Sequence, residues 1–181
     1  MTRSLTFILG ICISFAITGK SQNIQMTDSI SRGSIKGYHI GVVQPILAIH
    51  NNQTTYISDY EFYSIGFPFG ITLNTAGALL IDLEIVPFIK PYLNDDSKPY
   101  EIHLLYHPGI LLPLGHGFTA GLRVAFESGT NQFGFTPLIN KGFKLSQATK
   151  FFIEIVFPGR FGPGKDSGYT QLIGAHIGLA F

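Results

Sequence analysis

The sequence predicts an all-β fold, an eight-stranded antiparallel up-and-down transmembrane β-barrel, and three observations predict it. Beyond a polar opening stretch, the chain falls into segments of about ten residues in which apolar and polar side chains alternate. The apolar face of each segment carries large aliphatic and aromatic residues, while the opposite face is rich in glycine. Charge is sparse: only 13% of the 181 residues are charged and 45% are apolar, against a usual charged share of ~25%.

The first expected strand, Gly37 to Ile49, is the least regular, with His39 and Gly41 opposing Tyr38, Ile40 and Val42. The second, Phe62 to Asn74, is the clearest. Tyr63, Ile65, Phe67, Phe69, Ile71 and Leu73 share one face, with Ser64, Gly66, Pro68, Gly70, Thr72 and Asn74 on the other. A helix would scatter these residues, whereas a strand separates them. The third strand sets Leu79, Ile81, Leu83, Ile85, Pro87 and Ile89 against Asp82 and Glu84. In the fourth, Ile102, Leu104, Tyr106, Ile110 and Leu112 oppose Glu101, His103, His107 and Gly109. The fifth opposes Phe118, Ala120, Leu122, Val124 and Phe126 to Thr119, Gly121, Arg123 and Glu127. The sixth is built on Phe133, Phe135 and Ile139, and the seventh on Phe151, Ile153, Ile155 and Phe157 opposite Lys150 and Glu154. The eighth sets Tyr169, Ile173, Ile177, Leu179 and Phe181 against Thr170, Gly174, His176 and Gly178.

An even number of strands puts both ends of the barrel domain on one side. Asn74–Gly77, Pro113–Gly117 and Asn140–Gln147 then read as periplasmic turns, and the stretches near 50–61, 90–100, 127–132 and 158–168 as outer loops. A soluble β-sandwich would show the same alternation, but its wet face would carry more Lys and Glu. Small residues instead suit the narrow lumen of an eight-stranded barrel, which side chains fill. Tyr38, Tyr63, Phe118, Phe133, Phe151, Phe157, Tyr169 and Phe181 lie toward strand ends, where interfacial aromatic girdles belong. A soluble secreted β-protein is the architectural alternative.

The N-terminus has the form of a secretory signal over residues 1–22. Arg3 is the positive n-region, Leu5 to Ile17 the apolar core, and small polar residues follow at Thr18, Gly19 and Ser21. Leu9-Gly10-Ile11-Cys12 is a poor lipobox, because Ile11 is bulky and Cys12 falls inside the apolar core. Cleavage removes Arg3 and Lys20 and leaves 10 basic against 11 acidic residues, a formal charge of −1, together with no cysteine. Nucleic acid is therefore not an expected partner, and hydrogen bonding rather than disulfides must hold the fold. Residues 23–35 read as a periplasmic lead-in and 36–181 as the barrel.

The last strand adds a separate signal. Ile177, Leu179 and the terminal Phe181 alternate outward, which resembles the insertion signal of outer-membrane barrels, although His176 stands where that pattern has a glycine. The whole mature chain resembles the small eight-stranded outer-membrane barrels related to the OmpA membrane domain and OmpX. The stretch around Ser21–Gln22 is similar to exported proteins of Bacteroidota. The resemblance implies the outer membrane of a Gram-negative bacterium, with membrane lipids and the barrel assembly machinery as partners and a monomeric state.

Asp82, Glu84, Glu101, His103, His107, Arg123, Glu127, Glu154 and His176 fall on the lumen-facing register. Charges in a low-dielectric lumen are costly alone and should pair, giving a structural ion-pair plug. A gated path for protons or small ions is the alternative use of the same groups. A single metal cannot take both His103 and His107, which lie four residues and so about 13 Å apart along a strand; no metal or cofactor is expected. For catalysis, only His50, Ser58 and Asp59 in the first loop mimic a lipid-modifying set. Gly159 to Lys165 lacks the spacing of a phosphate loop and reads as a mobile surface loop. Pro87 and Pro108, expected nearly opposite each other on strands three and four, each remove a ladder hydrogen bond and suggest a lateral gate to lipid. The combined expectation is a non-enzymatic barrel, its lumen plugged by ion pairs, serving envelope structure or surface interaction. The alternatives are a narrow conductance and a lipid-modifying or lipid-sensing barrel.

Overall fold

In a computed structural model the chain is described at residues 35–58, 64–91, 100–128, 132–162 and 168–181. All of these belong to one compact unit, Ser31–Phe181. The signal segment 1–22 and the lead-in up to residue 34 lie outside the described residues, as do Tyr63 and Asp59.

Alternation becomes antiparallel sheet throughout. The elements are β1 (Ile35–His50), β2 (Gln53–Tyr56), β3 (Ile65–Gly66), β4 (Phe69–Asn74), β5 (Leu80–Pro91) and β6 (Tyr100–Gly115). They continue with β7 (Phe118–Glu127), β8 (Gln132–Lys144), β9 (Lys150–Val156), β10 (Gly159–Phe161) and β11 (Tyr169–Ala180). Consecutive strands pair from β5 to β9. The two ends of the sheet meet where β1 pairs β11 from His39↔Ala180 to His50↔Thr170. Closure is sealed at the turn end, where Tyr38 and Phe181 exchange backbone hydrogen bonds of 2.7 and 3.0 Å.

Eleven segments make a ring of eight strands. Segments β3 and β4 both lie between β1 and β5, and β9 and β10 both lie between β8 and β11. Each is a single strand interrupted at a proline, Pro68 in one and Pro158 in the other. A proline has no N–H to give to the ladder. Its carbonyl still accepts, so Gly41 N reaches Pro68 O at 2.9 Å and Leu172 N reaches Pro158 O at 2.7 Å.

Three expected loops or turns are strand instead. The stretch near 50–61 contains β2, which folds back on β1 from Leu47↔Tyr56 to His50↔Gln53. Its turn is Asn51-Asn52, with φ of 48° and 61°. Both values suit the two-residue hairpin turn whose twist matches the strands, and Asn is one of the few side chains that accepts them. The 158–168 stretch contains β10, so the Gly159–Lys165 segment is not a free loop over its first three residues. The turn expected from Asn140 begins only after Lys144, because β8 and β9 stay paired to Lys144↔Lys150.

The prolines of strands three and four also differ from expectation. Pro87 stands across from Leu104, and Pro108 across from Leu83. The pairing of β5 with β6 runs from Leu80↔Leu111 to Pro91↔Tyr100 without a shift. The two prolines are thus offset by four residues along the ladder rather than nearly opposite. Both remain on the outward register, beside exposed Leu83 and Tyr106.

The ring separates residues by chemistry. Along β9, Ile153 and Ile155 are 42% and 46% exposed while Glu154 between them is 2% exposed. Leu83, Ile110, Leu122, Ile139 and Ile177 face outward in the same way on other strands. Inside, Val86, Leu105 and Ala125 form a small apolar layer, flanked by Val43 and Phe88. The layer next to it is ionic.

Candidate functional site

Six strands supply the ionic layer, among them β6 with His107. Strand β5 contributes Asp82 and Glu84, β7 contributes Arg123, β9 contributes Glu154, and β1 and β11 border it with His39 and His176. Arg123 is the hub. Its Nε donates to Asp82 Oδ2 at 2.8 Å and its Nη1 to Glu154 Oε1 at 2.9 Å, with Glu84 Oε1 at 3.4 Å from the same nitrogen. Three histidines complete the carboxylates. His39 Nε2 and His107 Nδ1 approach the two oxygens of Glu84 at 3.2 and 3.0 Å, and His176 Nδ1 approaches Glu154 Oε1 at 3.1 Å. Thr72 donates to Asp82 at 3.0 Å and Asn140 to Glu154 at 3.3 Å.

Glycines make room for this layer. A Cβ on Gly109, directly across from Arg123, would lie 2.6 Å from Arg123 Cγ, and one on Gly70 would lie 2.6 Å from His39 Cε1. The glycine-rich face read in the sequence is therefore the clearance the charged side chains occupy.

Of the charges expected to converge, Asp82, Glu84, His107, Arg123, Glu154 and His176 meet in this one network. Glu101, His103 and Glu127 do not join it. They form a second group toward the opposite end, with His103 Nδ1 2.9 Å from Glu127 Oε1 and His103 Nε2 3.1 Å from Glu101 Oε2. Ile177, Leu179 and Phe181 line the outer face of β11. Ile177 and Leu179 stand across from Val42 and Ile40, and the Phe181 ring lies 6.4 Å from that of Tyr38.

Sequence reasoning missed three members, His39, Thr136 and Arg160. His39 sits on the irregular first strand, although its alternation with Tyr38 and Ile40 already placed it inward. Arg160 falls in the Gly159–Lys165 stretch that reads as a loop in the sequence. It nevertheless shares the inward parity of Phe152, Glu154 and Val156 across the Pro158 interruption, and that parity was the available signal. Thr136 links His107 to Arg160, with Oγ1 2.8 Å from His107 Nε2 and 3.1 Å from Arg160 Nη1.

His39, Asp82 and Glu84 offer ligand atoms within 4.8 Å of one another. The Arg123 guanidinium already bonds Asp82 and abuts Glu84, so an added cation would sit beside a fixed positive charge. Of the first-loop set, Asp59 lies outside the described residues. His50 pairs with Thr170 Oγ1 at 2.8 Å and Asn51 Nδ2 at 2.9 Å.

The ionic layer divides the interior. On the turn side lies a cavity of about 890 Å³ with Asp82, Arg123 and Glu154 among its lining. On the other side lies one of about 270 Å³ lined in part by His103, Glu127 and Arg160. Comparisons with protein-family models, curated proteins and solved structures find no match to this chain.

Proposed function

We propose that this chain is an eight-stranded outer-membrane β-barrel that serves envelope structure or surface interaction, its lumen closed by the Arg123 ionic layer. One observation carries the reading: the closed ring is apolar outside and ionic inside, the reverse of a soluble protein. Soluble monomers rarely expose apolar patches beyond a few hundred Å², whereas here large aliphatics face outward on strand after strand. In a bilayer that surface meets lipid, and closure leaves no strand edge unpaired.

Aromatic clusters at the two ends support the same reading. Tyr38 with Phe181 and Phe143 with Phe151 pair at the turn end. Phe126, Phe133, Phe161 and Tyr169 form a chain of ring contacts at the other end. Lys141 Nζ lies 4.1 Å over the Phe118 ring at the turn end, as a lysine stem does when it carries its charge to an interface. On this reading the outward Ile177, Leu179 and Phe181 are the segment read by the assembly machinery.

The test is envelope fractionation followed by electrophoresis with and without boiling. Recovery in the outer membrane with heat-modifiable migration is expected. A soluble periplasmic or secreted species would overturn the reading.

A second reading, a path for protons, has its own observation. Glu84, His107 and Thr136 form a chain of polar contacts from the ionic layer to Arg160 at the smaller cavity. Proteoliposomes under a pH gradient test it: Thr136→Val, which cuts the chain at its one hydroxyl link, is expected to abolish any flux the native protein supports. Flux that survives in Thr136→Val would sink the relay.

A further inference from the structure

The smaller cavity has a feature that the ionic layer does not explain. Arg160 is 4% exposed, yet its Nε has no hydrogen-bond partner. Its Nη1 donates to Thr136 Oγ1 at 3.1 Å and to Gly159 O at 3.2 Å, both neutral acceptors. Among the described residues no carboxylate oxygen lies within 4.0 Å of its guanidinium, in contrast to Arg123 with three carboxylates around it. A buried guanidinium with a bare N–H costs free energy unless an anion completes it.

The surroundings say what kind of anion. The neighbouring acid, Glu127, is committed to His103 at 2.9 Å. Thr170 is held by His50 at 2.8 Å and Gln132 by the Gly162 carbonyl at 2.8 Å. Apart from Ser64 and Gly174, the rest of the wall is apolar: Val43, Pro45, Phe88, Val156, Pro158 and Leu172. One unpaired positive charge beside a carboxylate favours a monoanion over a dianion, and the planar guanidinium edge matches a carboxylate. A volume of about 270 Å³ lies at the small end of ligand sites.

We propose that this cavity binds a small carboxylate with a short apolar body, its head group on Arg160 Nε and its tail against Phe88, Val156 and Leu172. The site depends on the closed ring and on β10, not on membrane insertion, so its test and the fractionation test fail separately. Leu172 and Arg160 are placed from two different strands, β11 and β10, which makes the pocket a product of the ring rather than of one loop.

The probe is sodium hexanoate, titrated into the full chain in detergent micelles and followed by calorimetry and by the arginine Nε–H signals in NMR. Saturable 1:1 binding is expected, with hexanol and hexylammonium at least tenfold weaker and one Nε–H signal shifted. Arg160→Gln is expected to lose hexanoate binding at least tenfold. Leu172→Phe, which fills the cavity and leaves Arg160 in place, is expected to do the same while migrating on unboiled gels like the parent. Equal binding of hexanol, an unmoved Nε–H signal, or unchanged affinity in Leu172→Phe would overturn the proposal.

Discussion

Arg123 holds together charges that would otherwise repel. It faces three buried carboxylates, those of Asp82, Glu84 and Glu154, whose remaining hydrogen bonds come from the surrounding histidines, Thr72 and Asn140. Removing one partner from a buried ionic group costs about 3–5 kcal/mol, because the other charges stay buried without compensation. Arg123→Met is therefore expected to lower unfolding free energy by about that amount, read from the urea midpoint of the unboiled band shift. Adding Asp82→Asn and Glu154→Gln to that variant is expected to restore part of the loss; a further drop would show that the arginine acts through packing alone. Much of this layer was legible in the sequence, since an acid or base alternating with large aliphatics has one inward direction. What alternation cannot supply is axial level. Glu101, His103 and Glu127 share the inward register with Asp82 and Glu84, yet pair among themselves at the far end, because strand offset and not facing decides which charges meet.

The same distinction holds for whole elements. Hairpin rhythm, strand facing and the first and last pairing all follow from period-two patterning and turn residues. The interruptions and extensions do not, because they depend on what the neighbouring strand offers. The β1–β2 hairpin needs β1 to reach His50, and β10 needs a partner whose backbone can come close. Gly134 is that partner: a Cβ there would sit 1.9 Å from the Gly159 carbonyl oxygen, a clash with backbone that no rotamer relieves. Gly134→Val is expected to detach β10 while leaving β9 paired to β8. Amide exchange in Gly159–Phe161 should then quicken at least tenfold, with Phe152–Val156 unchanged. Equal protection of β10 in both proteins would mean that its pairing to β11, Arg160↔Thr170 among others, holds it without β8.

At the scale of the whole molecule, the proposed membrane setting makes one demand that no soluble ring shares: the cost of an outward charge must depend on depth. Leu122 is 43% exposed and sits midway along β7, with Ile110 and Pro137 as its cross-strand neighbours. Leu114 is 53% exposed and lies one residue before the Gly115–Gly117 turn, where all three residues have positive φ. In a bilayer an arginine near the midplane costs about 2–4 kcal/mol, falling to about 0–1 near the interface. Leu122→Arg should therefore destabilise the folded protein in lipid vesicles severalfold more than Leu114→Arg, measured as the shift in urea midpoint. On a water-facing surface both changes would fall within about 0.5 kcal/mol of the parent. The ionic layer is common to both variants and both leave it untouched, so the difference between them reports the solvent outside the ring. Equal, small effects at the two positions would place water there, and the outward leucines and isoleucines would then have to be covered by protein instead.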